Sequence, residues 1–208
     1  MIRAVIFDMD GVLIDAREWH YDALNRALRL FGQEIGRTEH LLTFDGLPTR
    51  RKLEILTSTR GFPKNLHGFV NQLKQQYTME IVYARCKPVF AREFALSQLK
   101  ARGFRLAVAS NSVRESVEAM MTRSNLMAYL DLVLSNEDVA RSKPDPEIYL
   151  AAMKGLGVAA HETLIIEDND HGVRAARSSG AHVMVVRDVD EVDIGAIDRA
   201  LTGLGASL

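Results

Sequence analysis

The sequence has little that would mark a secreted, membrane-bound or nucleic-acid-binding protein. Cys86 is its one cysteine, so it excludes an intramolecular disulfide and a cysteine-rich metal site and favours a reducing compartment. The 26 basic and 27 acidic residues give a net charge of -1, which provides no overall attraction for nucleic acid or an anionic membrane. The N-terminal apolar run reaches Asp8 too early for a signal peptide, and no apolar run approaches membrane-spanning length. We therefore expect a cytoplasmic protein that binds neither nucleic acid nor membrane.

The overall amino-acid composition is typical of a globular protein. Apolar residues make up 47% and charged residues 25% of the chain, which argues against disorder and fibrous structure. A length of 208 residues is enough for one large domain or for a domain that carries an insertion.

Short apolar runs rich in β-forming residues recur along the chain and show no polar alternation, so each is expected to be a strand buried on both faces. The runs are residues 4–7, 106–109, 132–134, 164–166 and 183–186. Segments of helical periodicity lie between them, at residues 92–102, 114–123, 146–156 and 173–179. This alternation predicts an α/β fold with a Rossmann-like parallel sheet and helices on both faces. Active sites of such folds lie at the carboxyl ends of the strands.

One long segment breaks the alternation. No convincing strand appears between about residues 15 and 88, where helical patterns cover residues 16–31, 53–56 and 69–83. The sequence therefore predicts a helical domain, residues 15–88, inserted into a core domain formed by residues 1–14 and 89–208.

Two carboxylates, Asp8 and Asp10, follow the first strand run. An extended backbone would direct both to the same side, and Gly11 lets the chain turn sharply behind them. Their mutual repulsion is tolerable if a divalent cation lies between them or if one of them is protonated. A helix cap or a solvated loop would explain one aspartate but not readily the pair. Asp8 and Asp10 are therefore candidates for catalysis or metal binding.

A second acidic pair, Glu167 and Asp168, directly follows a later strand run. If the two strands are neighbours, their carboxylates converge and form an oxygen-rich site suited to Mg²⁺. The alternative is that this pair caps the next helix, but Asn169 or Asp170 could do that instead. The pair is therefore a candidate for metal binding.

Two further polar groups follow strand runs. Ser110 and Asn111 would bring a hydroxyl and backbone N–H groups to an anion near a helix start, although alone they suggest only an N-cap. Lys143 precedes Pro144, which restricts the direction from which the lysine enters. A single loop lysine is normally at the surface, but here it would balance several carboxylates and a phosphate.

Together these pieces resemble, in order and spacing, the four signature motifs of the haloacid dehalogenase superfamily. The motifs are Asp8-Met9-Asp10-Gly11-Val12-Leu13, Ser110-Asn111, Lys143-Pro144, and Glu167-Asp168 with Gly172. The resemblance covers essentially the whole chain, and each motif lies at the end of a predicted strand. The inserted helices are similar to the small α-helical cap of the subgroup that contains β-phosphoglucomutase and phosphoglycolate phosphatase.

The resemblance implies a phosphatase that acts on a small phosphorylated metabolite, of the sugar phosphate or phosphoglycolate type. Asp8 would be the nucleophile that forms an aspartyl-phosphate. Asp10 would protonate the leaving oxygen and later deprotonate the attacking water. Ser110 and Lys143 would hold the phosphoryl group, and Asn111 is a substrate-binding candidate beside them.

The resemblance also implies Mg²⁺ as the cofactor. Its ligands would be Asp8, the backbone carbonyl of Asp10, and Asp168, with Glu167 close by. The presence of Asp10 favours phosphoryl transfer over dehalogenation, since dehalogenation needs no acid at that position.

Three residues of the inserted segment are candidates for substrate binding. His20 lies where β-phosphoglucomutase-like members carry a cap histidine, and Lys74 also matches a cap pattern of that group. Arg50 lies in residues 46–50, which resemble the substrate-specificity loop of the cap. His20 could receive the proton of a sugar hydroxyl, or it could only satisfy a hydrogen bond at the hinge. A phosphomutase is therefore the alternative to hydrolysis.

Two departures argue against the phosphomutase. Ala16 replaces the hydroxyl residue common after the first motif, and Asp45 stands where the mutases tend to have a basic residue. A negative charge at that position would discourage a second phosphate on the substrate.

Two other classes of protein are disfavoured. A response-regulator receiver also uses acidic residues, a hydroxyl and a lysine, but it is smaller and lacks an inserted cap. A catalytically inactive binding module would normally have lost the nucleophile or a metal ligand, and every such position is filled here. The sequence leaves the identity of the substrate and the oligomeric state open.

Overall fold

The computed structural model describes residues 1–205. The chain divides into two compact units, one formed by Met1–Asp15 with Cys86–Leu208 and the other by Ala16–Arg85. The first unit carries all five strands of the sheet, and the second is made of helices and turns. The role of the second unit as a cap stays a prediction.

The five strands of the first unit form one parallel sheet. They are β1 (Ala4–Phe7), β2 (Arg105–Ala109), β3 (Leu132–Leu134), β4 (Thr163–Glu167) and β5 (His182–Val185). Their order is β3-β2-β1-β4-β5, so β1 is central and pairs with both β2 and β4. All four residues of β1 are buried, as expected for a strand covered on both faces. The predicted α/β class with a parallel sheet is confirmed.

The helices follow in chain order. They are α1 (Arg17–Arg29), α2 (Arg37–Glu39), α3 (Thr49–Arg60), α4 (His67–Arg85), α5 (Phe90–Ala101), α6 (Arg114–Arg123), α7 (Glu147–Leu156), α8 (Asp170–Ser178) and α9 (Ile194–Gly203). A π-helical turn, His40–Phe44, follows α2, and 3-10 turns lie at Lys64–Leu66, Met127–Tyr129, Asn136–Asp138, Ala160–Glu162 and Val189–Glu191. Among the helices of residues 1–205, none has the length and hydropathy needed to cross a membrane.

The core of the first unit joins the sheet to α7 and α8. One face of the sheet presents small side chains such as Ala4, Ala107 and Ala109, which let Tyr149 and Ile148 of α7 pack closely against the strands. Alternate residues of β1 point to the opposite face and are equally buried, so both faces of the sheet are covered.

The helical unit has a core of its own. Leu24 and Leu28 of α1 pack with Leu53 and Leu56 of α3 and with Phe44. The residues of this cluster all lie within Ala16–Arg85.

Candidate active site

The carboxyl ends of β1 and β4 are adjacent, and this brings the two acidic pairs of the sequence together. Phe7 is in register with Ile166, and the backbone N–H of Asp8 donates to the carbonyl of Ile166 over 2.9 Å. As a result, Asp8, Glu167 and Asp168 each offer a carboxylate oxygen within 4.8 Å of the others. Asp8 is therefore brought to Glu167 and Asp168, which come from a distant part of the chain, at the carboxyl ends of β1 and β4.

A tight turn carries the chain away from Asp8. Gly11 has a φ of 90°, a conformation that residues with a side chain rarely adopt. Its N–H donates to the carbonyl of Ile14 over 2.7 Å, which closes the turn. Met9 and Ile14 are buried, so the turn is anchored in the core. Asp8 and Asp10 lie at the carboxyl end of β1.

Lys143 places its ammonium between two carboxylates. The distances from its Nζ are 2.5 Å to Asp8 Oδ1 and 2.6 Å to Glu167 Oε1. The lysine is only 4% exposed, whereas a lysine in a loop is ordinarily at the surface. Burial of this ammonium is tolerable because both of its carboxylate partners are buried beside it.

The backbone of Lys143 is held by Asn111. The Asn111 side-chain oxygen accepts a hydrogen bond from the Lys143 N–H at 3.0 Å, and its amide nitrogen donates to the Lys143 carbonyl at 3.4 Å. Asn111 is predicted to bind substrate, and in the structure its side chain also positions the lysine. Any direct contact between Asn111 and a substrate stays a prediction.

Four donors surround the carboxylate of Glu167, which is only 1% exposed. Its Oε1 accepts from Lys143 Nζ and from the Tyr149 hydroxyl, each over 2.6 Å. Its Oε2 accepts from the backbone N–H groups of Asp168 at 3.0 Å and Asn169 at 3.3 Å. These contacts satisfy the buried charge and fix its position, as low-dielectric surroundings require.

Gly172 leaves the space that Glu167 occupies. A Cβ at this position would overlap the carboxylate of Glu167. The backbone of α8 therefore approaches the carboxylate at a distance that only glycine allows.

The electrostatics of the site reflect one ammonium among several acids. Burial raises the pKa of Asp8 well above its usual value, since the opposing charge of Lys143 is offset by the neighbouring carboxylates. Burial alone would also raise the pKa of Glu167, but the charge and hydrogen bond of Lys143, with help from Tyr149, lower it. The two carboxylates raise the pKa of Lys143 despite its burial. The site therefore has an excess of acids that one lysine does not neutralise.

Two serines connect Asp10 to the end of β2. Ser112 donates its hydroxyl to Asp10 Oδ2 over 2.9 Å, and its N–H donates to Ser110 Oγ over 3.0 Å. Ser110 is buried, and its own N–H donates to the carbonyl of Leu134. Accepting this hydrogen bond uses a lone pair of Ser110 Oγ and not its proton, which a hydroxyl can donate to an anion.

The predicted substrate-binding residues of the helical unit lie at two places. Lys74 Nζ is 3.0 Å from His20 Nδ1, so these two side chains form a pair between α4 and α1. Arg50 lies in the first turn of α3, is largely exposed, and pairs with Glu54 over 3.3 Å. Their predicted part in substrate binding stays a prediction.

Comparison with known proteins identifies the family. The haloacid dehalogenase-like hydrolases match residues 5–186, which is most of the chain. The chain belongs to this family. The predicted family and the predicted enzymatic character are thereby confirmed.

Similar proteins and structures agree with this membership. The chain is 30% identical over 179 residues to the phosphorylated carbohydrates phosphatase of Thermotoga maritima, covering 86% of this chain and 82% of that protein. It is 29% identical over 180 residues to the phosphoglycolate phosphatase of Aquifex aeolicus, with coverage of 86% and 82%. The crystal structure of β-phosphoglucomutase from Clostridium difficile superposes with a TM-score of 0.83 at 21% identity, covering 98% of both chains, which shows a shared fold.

The acids of this haloacid dehalogenase-like hydrolase fit a magnesium ion. Carboxylate and carbonyl oxygens are the ligands that Mg²⁺ prefers, and Asp8 and Asp168 present them close together. Burial, and after it the neighbouring acids, raise the pKa of Asp8, and a divalent cation would favour its ionised form. Glu167 belongs to the same group of acids, but both of its oxygens already accept hydrogen bonds.

Sequence reasoning missed two contributors to this hydrolase site. Tyr149 lies on the buried face of α7 beside Ile148, so helical periodicity indicated only a core residue. Ser112 follows Ser110 and Asn111 in one polar stretch, and no pattern in the sequence indicates its contact with Asp10. The signal that could have found Tyr149 is a phenol on an otherwise apolar face, because a buried hydroxyl needs a partner.

Proposed function

We propose that the chain is a Mg²⁺-dependent phosphatase that hydrolyses a small phosphomonoester of the sugar phosphate or phosphoglycolate type through a phosphorylated Asp8. The observation that carries this proposal is the buried Asp8 carboxylate, 2.5 Å from the ammonium of Lys143 and close to Asp168. The names of the similar phosphatases support the substrate class.

In the first half of the reaction, an oxygen of Asp8 attacks phosphorus. The new bond joins that oxygen to phosphorus, the ester bond breaks, and Asp10 gives its proton to the leaving oxygen. Lys143 uses two of its three N–H donors on Asp8 and Glu167. The third donor, together with the Ser110 hydroxyl, is available for the phosphoryl oxygens, whose charge must be stabilised in the transition state.

In the second half, water releases the phosphate. Asp10, now a carboxylate, takes a proton from the water whose oxygen attacks phosphorus. The bond between phosphorus and the Asp8 oxygen breaks, which restores the Asp8 carboxylate and leaves the proton on Asp10. The two aspartates thus return to their starting states after each turnover.

The metal in this proposal is held by Asp8, Asp168 and the backbone carbonyl of Asp10. When bound, Mg²⁺ supplies positive charge that stabilises the transferring phosphoryl group. The residues of the chain carry out the nucleophilic and proton-transfer steps.

We further propose that the helical unit, Ala16–Arg85, acts as the cap over the substrate. His20, Lys74 and Arg50 would contact the part of the substrate beyond its phosphate. Lysine and arginine are suited to anionic or hydroxylated groups, in agreement with small phosphorylated metabolites.

The test is phosphate release from a panel of sugar phosphates, phosphoglycolate and nucleotides, with and without EDTA. We expect turnover of at least one small monoester, loss of turnover in EDTA, and recovery with Mg²⁺. Asp8→Asn should lower kcat/KM by more than about 10³-fold, because it removes the nucleophile. Asp190→Asn is the matched control, since Asp190 is 91% exposed at its side chain and should leave activity unchanged.

The same incubations separate the mechanism from its alternatives. Mass spectrometry of acid-quenched enzyme should find phosphate on the peptide that contains Asp8, and not in Asp8→Asn. Analysis of hexose phosphate products by NMR should find free phosphate; an isomerised hexose phosphate would favour the phosphomutase. A folded protein that turns over no member of the panel would contradict the proposal.

A further inference from the structure

Ser112 makes a direct contact with Asp10, the residue proposed to move protons. The Ser112 hydroxyl donates to Asp10 Oδ2 over 2.9 Å. These two residues are 102 positions apart in the sequence, so only the fold brings them together.

The backbone of Ser112 is held on both sides. Its N–H donates to Ser110 Oγ at 3.0 Å, and its carbonyl accepts from the N–H of Asn136 at 3.1 Å. Asn136 also donates its side-chain amide to the carbonyl of Asn111 at 2.9 Å. The segment from Ser110 to Ser112 is thus fastened to the residues after β3, and the hydroxyl is delivered from a fixed backbone.

The direction of this hydrogen bond has a chemical consequence. A protonated carboxyl group has one oxygen that carries the proton and one that only accepts. With the Ser112 hydroxyl donating to Oδ2, the carboxyl proton of Asp10 lies on Oδ1. A proton on Oδ2 would instead be donated to Ser112 Oγ and would not be presented to a leaving group. The contact also restrains rotation of the carboxyl group, so the acidic proton points in one direction.

We infer that Ser112 is a positioning residue that selects Oδ1 of Asp10 as the oxygen that gives the proton to the leaving group. In that step the bond between phosphorus and the leaving oxygen breaks and the Oδ1 proton moves to that oxygen. The Ser112 hydroxyl keeps its proton throughout. This inference rests on the proposed function, in which Asp10 is the general acid.

The test uses the dependence of rate on the leaving group. Leaving groups that are stable as anions depart without a proton, whereas poor leaving groups need the acid. Phenyl phosphates that carry nitro, chloro or methoxy groups differ in leaving-group acidity but little in size, so a contact between Ser112 and substrate would affect all of them alike. The measured quantity is kcat/KM, because it reports the steps up to phosphorylation of Asp8.

We expect Ser112→Ala to lower kcat/KM about tenfold for p-methoxyphenyl phosphate and no more than about twofold for p-nitrophenyl phosphate. The slope of log kcat/KM against leaving-group pKa therefore becomes steeper. Ser112→Thr, which keeps the hydroxyl, should restore the wild-type slope. Ser97→Ala is the matched control, since the Ser97 hydroxyl donates to the carbonyl of Phe94 within α5.

Asp10→Asn separates this inference from the proposed function. If Asp10 is the acid, Asp10→Asn steepens the slope more than Ser112→Ala does. An unchanged slope in Asp10→Asn would contradict the proposed mechanism itself. A second outcome would overturn only the role of Ser112. In it, the slope is steeper in Asp10→Asn, but Ser112→Ala lowers kcat/KM equally for all the phenyl phosphates or does not lower it.

Folding of the variants is checked by thermal melting. If Ser112→Ala does not fold, Ser112→Cys replaces it, because a thiol has a similar shape and is a weak hydrogen-bond donor. The expected change in slope is the same, and a wild-type slope in a folded Ser112→Cys protein would also overturn the inference.

Discussion

At the scale of single residues, the buried Glu167 carboxylate determines where Lys143 directs its charge. One oxygen of Glu167 accepts from both Lys143 and Tyr149, and the other accepts from two backbone N–H groups. A buried carboxylate with four donors is held in one place, so the ammonium that contacts it is also held at Asp8. Residues that contact Glu167 therefore affect the nucleophile Asp8 indirectly, through the position of Lys143.

The Tyr149 hydroxyl can be tested by Tyr149→Phe. The change removes one hydrogen bond to a buried carboxylate and should lower the free energy of unfolding by about 2 kcal/mol. Lys143 and Tyr149 donate to the same oxygen of Glu167, so loss of the tyrosine hydroxyl lets that oxygen, and with it Lys143, move. We therefore also expect kcat/KM to fall about tenfold. Urea unfolding and steady-state kinetics measure the two effects. Tyr129→Phe is the control, because its hydroxyl makes only a 3.4 Å contact with Glu93; equal behaviour of the two variants would contradict the prediction.

Gly172 can be tested by Gly172→Ala. The added Cβ would overlap the Glu167 carboxylate, so Glu167 or α8 must move. We expect kcat/KM to fall about 10²-fold, since small displacements of positioning groups are costly to catalysis. Gly203→Ala in α9 adds the same methyl group where nothing lies within 4 Å, and it should retain full activity. Wild-type activity in Gly172→Ala would show that Glu167 need not be held there.

At the scale of elements, the π-helical turn His40–Phe44 buries a histidine in the helical unit. His40 is 4% exposed and lies 3.7 Å from Asp45, and its ring packs against that of Tyr21. Burial, together with the charge of Lys52, lowers the pKa of His40 from its usual 6.5 to about 4. The folded unit therefore holds this histidine in its neutral form.

This burial predicts a loss of stability in acid. The unfolded chain binds a proton at His40 near pH 6.5, whereas the folded unit resists it down to about pH 4. Stability that depends on neutral His40 is therefore fully present above pH 6.5 and falls as the pH drops to about 4, by about 3 kcal/mol. Urea unfolding of wild type and His40→Gln at several pH values measures it. Equal loss of stability in both proteins across this range would contradict the prediction.

At the scale of the whole molecule, the parallel sheet gathers residues from distant parts of the chain. Asp8 and Lys143 are 135 positions apart and yet in direct contact. The order β3-β2-β1-β4-β5 places β1 beside both β2 and β4. The residues that follow these three strands therefore lie next to one another at the carboxyl ends of the strands. Excess negative charge at these carboxyl ends destabilises the folded protein unless a cation binds.

Magnesium should therefore stabilise the folded chain. At a Mg²⁺ concentration about 100 times its Kd, binding adds about 2.7 kcal/mol to the free energy of unfolding and raises Tm. Thermal melting with MgCl₂ or EDTA measures this shift. Asp168→Asn should reduce it strongly, and Asp190→Asn, at an exposed position, should not. A shift of the same size in Asp168→Asn would contradict the assignment of Asp168 as a ligand.

The prediction from sequence succeeded where the signal was local. The apolar run at residues 4–7 is β1, and the polar residues after it stand at the edge of the sheet. The helix predicted at residues 173–179 begins three residues earlier in the structure, because α8 starts at Asp170 and Asn169 provides its cap. Its first turn is polar, so periodicity of apolar residues could not reveal it.

The sequence by itself determined the α/β class, the position of the strands and the residues that carry charge at their ends, because these depend on the periodicity and polarity of neighbouring residues. Only the tertiary structure decided that Glu167 and Asn111 hold Lys143, that Tyr149 donates to Glu167, and that Ser112 donates to Asp10. A hydrogen bond is made or lost within an ångström, and such distances between remote segments are settled by the packing of the whole sheet.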